Sequence, residues 1–282
     1  MKNSVLVTAI VFLLCSASQH TAQKLKPEEI VAKHLESIGA IETRESIKTY
    51  LFIGEVKLRI KGGRLGEAGG PVILASEKEK SLIGMTLGST NYPHEKIGYD
   101  GKVIKVAYLL PGVRSTVGDF FMSNPMFFRE GLLGGALSTA WALSDPKFRE
   151  AKLEYNGLKK VNDLSLHEIT YIPKKGSDFE IKLFFDPENF HHVRSEYGRI
   201  LSATQGARPE DSARRSDTRY RLTEEFSDFK KETGLMLPHS YKMNLTVFGQ
   251  GVSANEQEWQ VKLVRFAFNQ PIPPESYNTE AK

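Results

Sequence analysis

Apolar and polar residues alternate one by one through many short segments, and this constrains the chain more than any other feature of its sequence. Phe52, Gly54, Val56, Leu58 and Ile60 fall on one side of a strand, with Glu55, Lys57 and Arg59 on the other. That pattern describes a strand with one dry and one wet face. Over 178–185, Phe179, Ile181, Leu183 and Phe185 oppose Glu180 and Lys182 in the same way. Further strands are expected at Val72–Lys78, Ser81–Leu87, Lys96–Tyr99, Val103–Leu109, Leu164–Ile172, Val193–Tyr197, Arg219–Phe229, His239–Val247 and Glu258–Phe268. Asp100-Gly101, Asn156-Gly157 and Lys175-Gly176 are short turn signals that suit antiparallel hairpins. Parallel βαβ packing needs a helix of about ten residues between successive strands, and no such helices punctuate these segments. The expectation is a mainly β, α+β chain built on one large curved antiparallel sheet.

Residues 1–18 read as an export signal. Lys2 supplies a positive start, Val5–Leu14 an apolar run broken only by Thr8, and Ser16, Ala17 and Ser18 a small-residue cleavage zone. The run is about half the roughly 20 residues that a membrane-spanning helix needs, so a periplasmic product is expected, with secretion or an uncleaved anchor as alternatives. Cys15, the only cysteine, lies inside this leader, and the bulky Leu14 before it speaks against lipidation. Residues 19–282 then form a single domain, with its core over about 27–268. Setting Lys2 aside leaves 37 of the 38 basic residues against 34 acidic ones, a net of +3, too little to argue for nucleic acid.

Pro27–Ile38 carries helix signals: the early Pro27, then Glu28 and Glu29 in the first turn, and Gly39 as a stop. Ile30, Val31, His34, Leu35 and Ile38 form its apolar stripe, in which His34 reads as a partly buried filler. Gly62–Pro71, with five glycines, and Ala203–Thr218, with mixed charges, read as loops. Between Asp119 and Ser144 the alternation stops. Phe120, Phe121, Met122, Phe127, Phe128, Leu132, Leu133, Ala136, Leu137, Ala140, Trp141 and Leu143 make a stretch apolar nearly all round, suited to a core helix or to a lid over the sheet. Gly131, Gly134 and Gly135 weaken that helix by up to about 1 kcal/mol each.

Catalytic signatures are not found: there is no Gly-x-Ser-x-Gly elbow and no His-Glu-x-x-His helix, and the expected mature chain has no thiol. The expectation is therefore a non-enzyme with no metal and no cofactor. The adjacent His191 and His192 read as solvated imidazoles in a turn rather than as metal ligands. Glu224 and Asp228 share a strand face with Leu222 and Phe226, which fits a solvated sheet rim or, less simply, a carboxylate at a pocket mouth.

Short features in sequence order then resemble a known family. They are Tyr99-Asp100-Gly101-Lys102, Asn156-Gly157, Phe185-Asp186-Pro187 followed by Val193-Arg194, and Phe226-Ser227-Asp228-Phe229 leading to Gly234-Leu235 and Leu237-Pro238. With the leader, the single amphipathic helix and the apolar insert, the chain resembles the outer-membrane lipoprotein-sorting, LolA-like carriers over roughly residues 27–268. It departs from them in the Ala203–Thr218 insert and in Lys105-Val106-Ala107 after the Asp-Gly turn. The resemblance implies an incomplete β-barrel of about 10–11 strands, helices over its concave face, and an apolar cavity for lipid or lipoprotein acyl chains. Membrane contact would be peripheral or transient, in outer membrane biogenesis. Candidate wall residues are Phe52, Val56, Leu58, Phe179, Ile181, Leu183 and Phe185; candidate lid residues are Phe127, Phe128, Leu132, Leu137 and Trp141. Two rivals stay open: an interaction or sensor module that binds an envelope protein partner through the 203–218 insert, and a secreted hydrolase without a familiar motif.

Overall fold

The computed structural model describes residues 25–61, 66–145, 147, 149–202, 217–249 and 252–279. The leader and most of the 203–218 insert lie outside them. Helix α1, Pro27–Ile38, begins with Pro27, and the carboxylate of Glu29 accepts the Lys26 amide at 3.0 Å. It buries Ile30, Val31, His34 and Ile38 of the stripe read from the sequence, with Leu35 partly buried beside them. A short α2, Ile41–Ser46, leads into the sheet.

Five strands follow: β1 (Thr49–Lys61), β2 (Glu67–Glu77), β3 (Lys80–Thr86), β4 (His94–Tyr99) and β5 (Ile104–Val106). After the middle segment come β6 (Lys152–Val161), β7 (Leu164–Ile172), β8 (Glu180–Phe185), β9 (His192–Leu201), β10 (Thr218–Glu232), β11 (Leu235–Gly249) and β12 (Val252–Phe268). All pair antiparallel into one sheet of order β5-β4-β3-β2-β1-β12-β11-β10-β9-β8-β7-β6. The first and last strands meet in the middle, Val56 opposite Val261, and β5 and β6 are left as free margins. The sheet is open.

Three expectations are corrected in detail. Asn156-Gly157 is not a turn but a bulge inside β6: Gly157 has φ 86°, and the register with β7 shifts between Tyr155 and Leu158, so this added strand raises the count to 12. Gly69, Gly70 and Pro71 lie in β2 rather than in a loop, because each pairs with β1. β5 is three residues long rather than reaching Leu109, because the chain folds back after it, the Leu109 amide bonding Val113 O at 2.8 Å.

This topology dictates where the middle segment goes. β5 and β6 stand at opposite margins, so residues 107–151 must cross one face of the sheet to join them. The crossing side is the one that carries Phe52, Val56, Leu58, Ile181, Leu183 and Phe185, all buried, while Glu55, Lys57 and Arg59 face out to water. Because both the inner face and the crossing segment are apolar, a single hydrophobic cluster joins α1, the sheet and the crossing segment.

Candidate functional site

The segment that crosses the inner face is not one helix. It comprises α3 (Thr116–Ser123), α4 (Met126–Arg129) and a 3₁₀ turn at Gly135–Leu137, and Trp141 lies outside all three. The glycines explain the break. Gly131 has φ 65°, and a Cβ there would stand 1.8 Å from Ala140 O; Gly135 has φ 49°, and a Cβ would stand 2.7 Å from His192 Nδ1. The backbone turns back on itself and presses on the sheet at points where no side chain fits.

All twelve predicted wall and lid residues are buried in the one cluster, none more than 6% exposed. The β8 group meets the cover directly: Phe127 packs on Phe179 with ring centroids 5.1 Å apart, and Phe185 reaches His192 at 5.4 Å, which in turn stacks on Trp141 at 4.7 Å. The β1 group lies five strand steps away, where Phe52 packs on Tyr50, Phe266 and Phe268. The wall is therefore two patches of one face rather than a single lining.

Beneath the cover, side chains of the described residues close around small voids. A void of about 40 Å³ remains among Leu74, Leu82, Phe128, Leu133, Leu137 and Tyr241. A second, of about 10 Å³, lies among His34, Ile38, Ala136, His192 and Phe226. These are spaces on the scale of one or a few waters. A depression of about 1050 Å³ lies on the outward face across β1, β12 and β11, among Glu55, Lys57, Lys242, Gln260 and Lys262.

Polar groups hold the rear of the cover, residues 131–143. Glu224, expected at a solvated rim, is fully buried on β10 between Leu222 and Phe226, while Asp228 leaves that face at a φ of 56° and bonds Lys230 Nζ at 2.8 Å. The Gly134 amide and the Tyr241 hydroxyl each donate to Glu224 Oε1 at 2.8 Å. Tyr197 Oη lies 2.8 Å from Oε2 and 2.7 Å from Leu132 O. One tyrosine proton cannot serve both acceptors. Burial raises the Glu224 pKa, and a neutral Glu224 resolves the conflict: its own proton goes to Tyr197 Oη, which frees the tyrosine proton for the cover's Leu132 carbonyl.

His34 and His192 extend this chain of contacts. Trp141 Nε1 donates to His34 Nε2 at 3.0 Å, so Nδ1 carries the His34 proton and donates to Phe190 O at 3.1 Å. Burial drives the His34 pKa down to about 3, and burial together with the neighbouring His34 holds His192 well below its ordinary value. His192 is thus a buried neutral imidazole, bonded to Ser195 Oγ at 3.0 Å, not a solvated one; its neighbour His191 is half-buried against Phe229.

The front of the cover has its own buried carboxylate. Glu95 on β4 accepts the Tyr92 hydroxyl and lies against Ser115, the N-cap of α3, whose Oγ accepts the Gly118 amide at 2.8 Å. Burial raises the Glu95 pKa to about 7. Glu95, Tyr197, Ser195 and Tyr241 escaped sequence reasoning. For Tyr197 and Tyr241 one signal existed: they stand opposite Leu222 and Phe226, on the inward parity that Glu224 shares. No group of three metal-ligating side chains occurs among the described residues, and no helix there is long and apolar enough to cross a membrane.

No family model matches the chain, and no curated protein does. Among solved structures it is similar to a LolA superfamily protein from Nitrosomonas europaea, at 12% identity over 90% of this chain and 98% of that one, with a TM-score of 0.47. It is also similar to a domain assigned to outer membrane lipoprotein sorting from Vibrio parahaemolyticus, at 11% identity over 88% and 97% of the two chains, with a TM-score of 0.41. MucB of Pseudomonas aeruginosa, in its complex with MucA, gives 7% identity over 83% and 94%, with a TM-score of 0.24.

Proposed function

We propose that the chain is an exported, periplasmic carrier that holds acyl chains against the inner face of its sheet, and that residues 131–143 occupy that place while no ligand is bound. The observation that supports this reading is that the inner face of the sheet shares one apolar cluster with a segment that pairs with no strand and is broken at Gly131, Gly134 and Gly135. Such a segment keeps its place by side-chain contacts and a few polar pins, so it is the element that a ligand can displace.

The magnitudes are compatible. An acyl chain of about 16 carbons gains roughly 13 kcal/mol on leaving water, before ordering and association costs. Re-exposing Leu132, Leu133, Leu137 and Trp141 costs about 10 kcal/mol at roughly 2–3 kcal/mol per side chain. Exchange of cover for ligand is therefore near balance, which suits uptake and release. From the β8 patch, Phe52, Val56 and Leu58 would be reached along the sheet only by a ligand that extends across β9, β10, β11 and β12.

Protein extracted from its own envelope is expected to carry a lipid adduct in native mass spectrometry and to take up a fluorescent C16 fatty acid. Hydrogen exchange at amides 131–143 should rise on uptake, while that of α3 stays unchanged. A ligand-free mass with no uptake would reject the carrier. The small size of the voids beneath the cover, about 40 and 10 Å³, favours one second reading, a module that binds an envelope protein partner. The 203–218 insert suggested for that contact lies mostly outside the described residues; deleting it should abolish partner capture and leave lipid uptake intact if the carrier reading holds.

A further inference from the structure

The hairpin between β5 and α3 shows its apolar residues to solvent. Leu110 is 52% exposed, Val113 52% and Tyr108 43%, with Pro111 and Gly112 exposed between them. A turn in water ordinarily carries polar residues, and this one carries none from Leu109 to Val113.

It is also rigid. Leu110-Pro111-Gly112-Val113 has the pattern of a type II turn, with proline at the second position, Gly112 at φ 78° and the Val113 amide bonded to Leu110 O at 2.8 Å. Below the tip, the Arg114 guanidinium lies 4.2 Å over the Tyr108 ring and donates to its hydroxyl at 2.9 Å, while His94 Nε2 contacts Tyr108 O at 3.0 Å. The chain then enters α3 through the buried Ser115 and Val117. A preset apolar tip thus stands on a fixed base, and little ordering entropy opposes its insertion.

Charge and size select the partner. Residues 101–118 contain Lys102, Lys105 and Arg114 and no acid; Asp100 and Asp119 stand just outside the stretch. The tip presents three or four apolar side chains, far fewer than the roughly 20–30 residues of a stable protein interface. Shallow insertion beside lipid phosphates needs no more area than this: aliphatic groups below, a tyrosine at headgroup depth and an arginine on phosphate.

We infer that the Tyr108–Arg114 hairpin is a membrane-contact wedge that inserts Leu110, Pro111 and Val113 into the interface of an anionic phospholipid bilayer. This names the donor or acceptor surface that an acyl-chain carrier must touch, and so rests on the carrier reading for its purpose, though not for its test.

In a Cys15→Ser background, Leu110→Cys and Asn162→Cys chains are labelled with an environment-sensitive fluorophore. Asn162 lies in the β6–β7 turn, on a different hairpin. With vesicles of phosphatidylethanolamine and phosphatidylglycerol, the label at 110 should brighten several-fold and shift to the blue, with the label at 162 unchanged. Pure phosphatidylcholine or an added Arg114→Gln should cut the response at 110 at least threefold. No change at 110, an equal change at 162, or a response indifferent to lipid charge and to Arg114 would overturn the inference. Vesicle response at 110 without fatty-acid uptake would keep the wedge and reject the carrier; uptake without the response would do the reverse.

Discussion

The two halves of the cover are held by different means. The front, Ser115–Arg129, is built from short helices that organise themselves: Ser115 caps α3, and Phe120, Phe121, Phe127 and Phe128 pack on one another with centroids 5.3–5.8 Å apart. The rear, residues 131–143, has almost no regular structure and takes its shape from the sheet through Glu224, Tyr197 and His192 and from α1 through His34. Local preference is enough for the first. The second exists only where distant strands supply partners, so it should be lost first when the cover is disturbed.

Trp141→Ala sharpens this contrast most. It empties a site 1% exposed and leaves the His34 bond unmade, so a loss of about 3–5 kcal/mol is expected in urea unfolding, and hydrogen exchange should open over 131–143 well before α3. Glu95→Gln tests the front. Its carboxyl, raised from 4.5 to about 7, favours the protonated form, so its contribution is full below pH 4.5 and is lost as pH rises through about 7. The amide should raise stability at pH 8 by about 3 kcal/mol and change little at pH 4, measured as the shift in urea midpoint.

Glu224 offers a paired comparison at the rear. Glu224→Ala strands the Gly134 amide and the Tyr241 hydroxyl, an expected cost of about 2–3 kcal/mol. Glu224→Gln mimics the neutral acid and should cost less than about 1 kcal/mol, while abolishing the loss of stability expected of wild type as pH rises above 4.5. Equal pH dependence in both would show that Glu224 does not hold the cover through its proton. Ser115→Ala should cost about 1 kcal/mol from the lost N-cap, with α3 fraying and the rear of the cover unaffected.

These differences also mark what was legible in the sequence. β7, at Leu164–Ile172, and the inward rows of β1 and β8 followed directly from alternation, because a half-buried strand writes its burial into every second residue. Apolarity identified the cover, and its three glycines foretold the break. Its geometry was not legible, since Gly131 is shaped by Ala140 and Gly135 by His192. Glu224 drew notice for its inward parity, yet its burial depends on hydrogen-bond partners 17, 27 and 90 residues away. The lone strand β6 was missed because a bulge at Asn156-Gly157 reads as a turn when no neighbouring strand is in view.

That same bulge governs how the molecule behaves among its own copies. A ten-residue edge strand with one side unpaired is a template on which a second chain could grow, and fibrils begin in this way. The extra residue at Gly157 throws the row of amides and carbonyls out of step halfway along, and the charged side chains of Lys152, Glu154, Lys159 and Lys160 keep that margin hydrated. The open architecture can thus leave its long margin bare to solvent without inviting polymerisation.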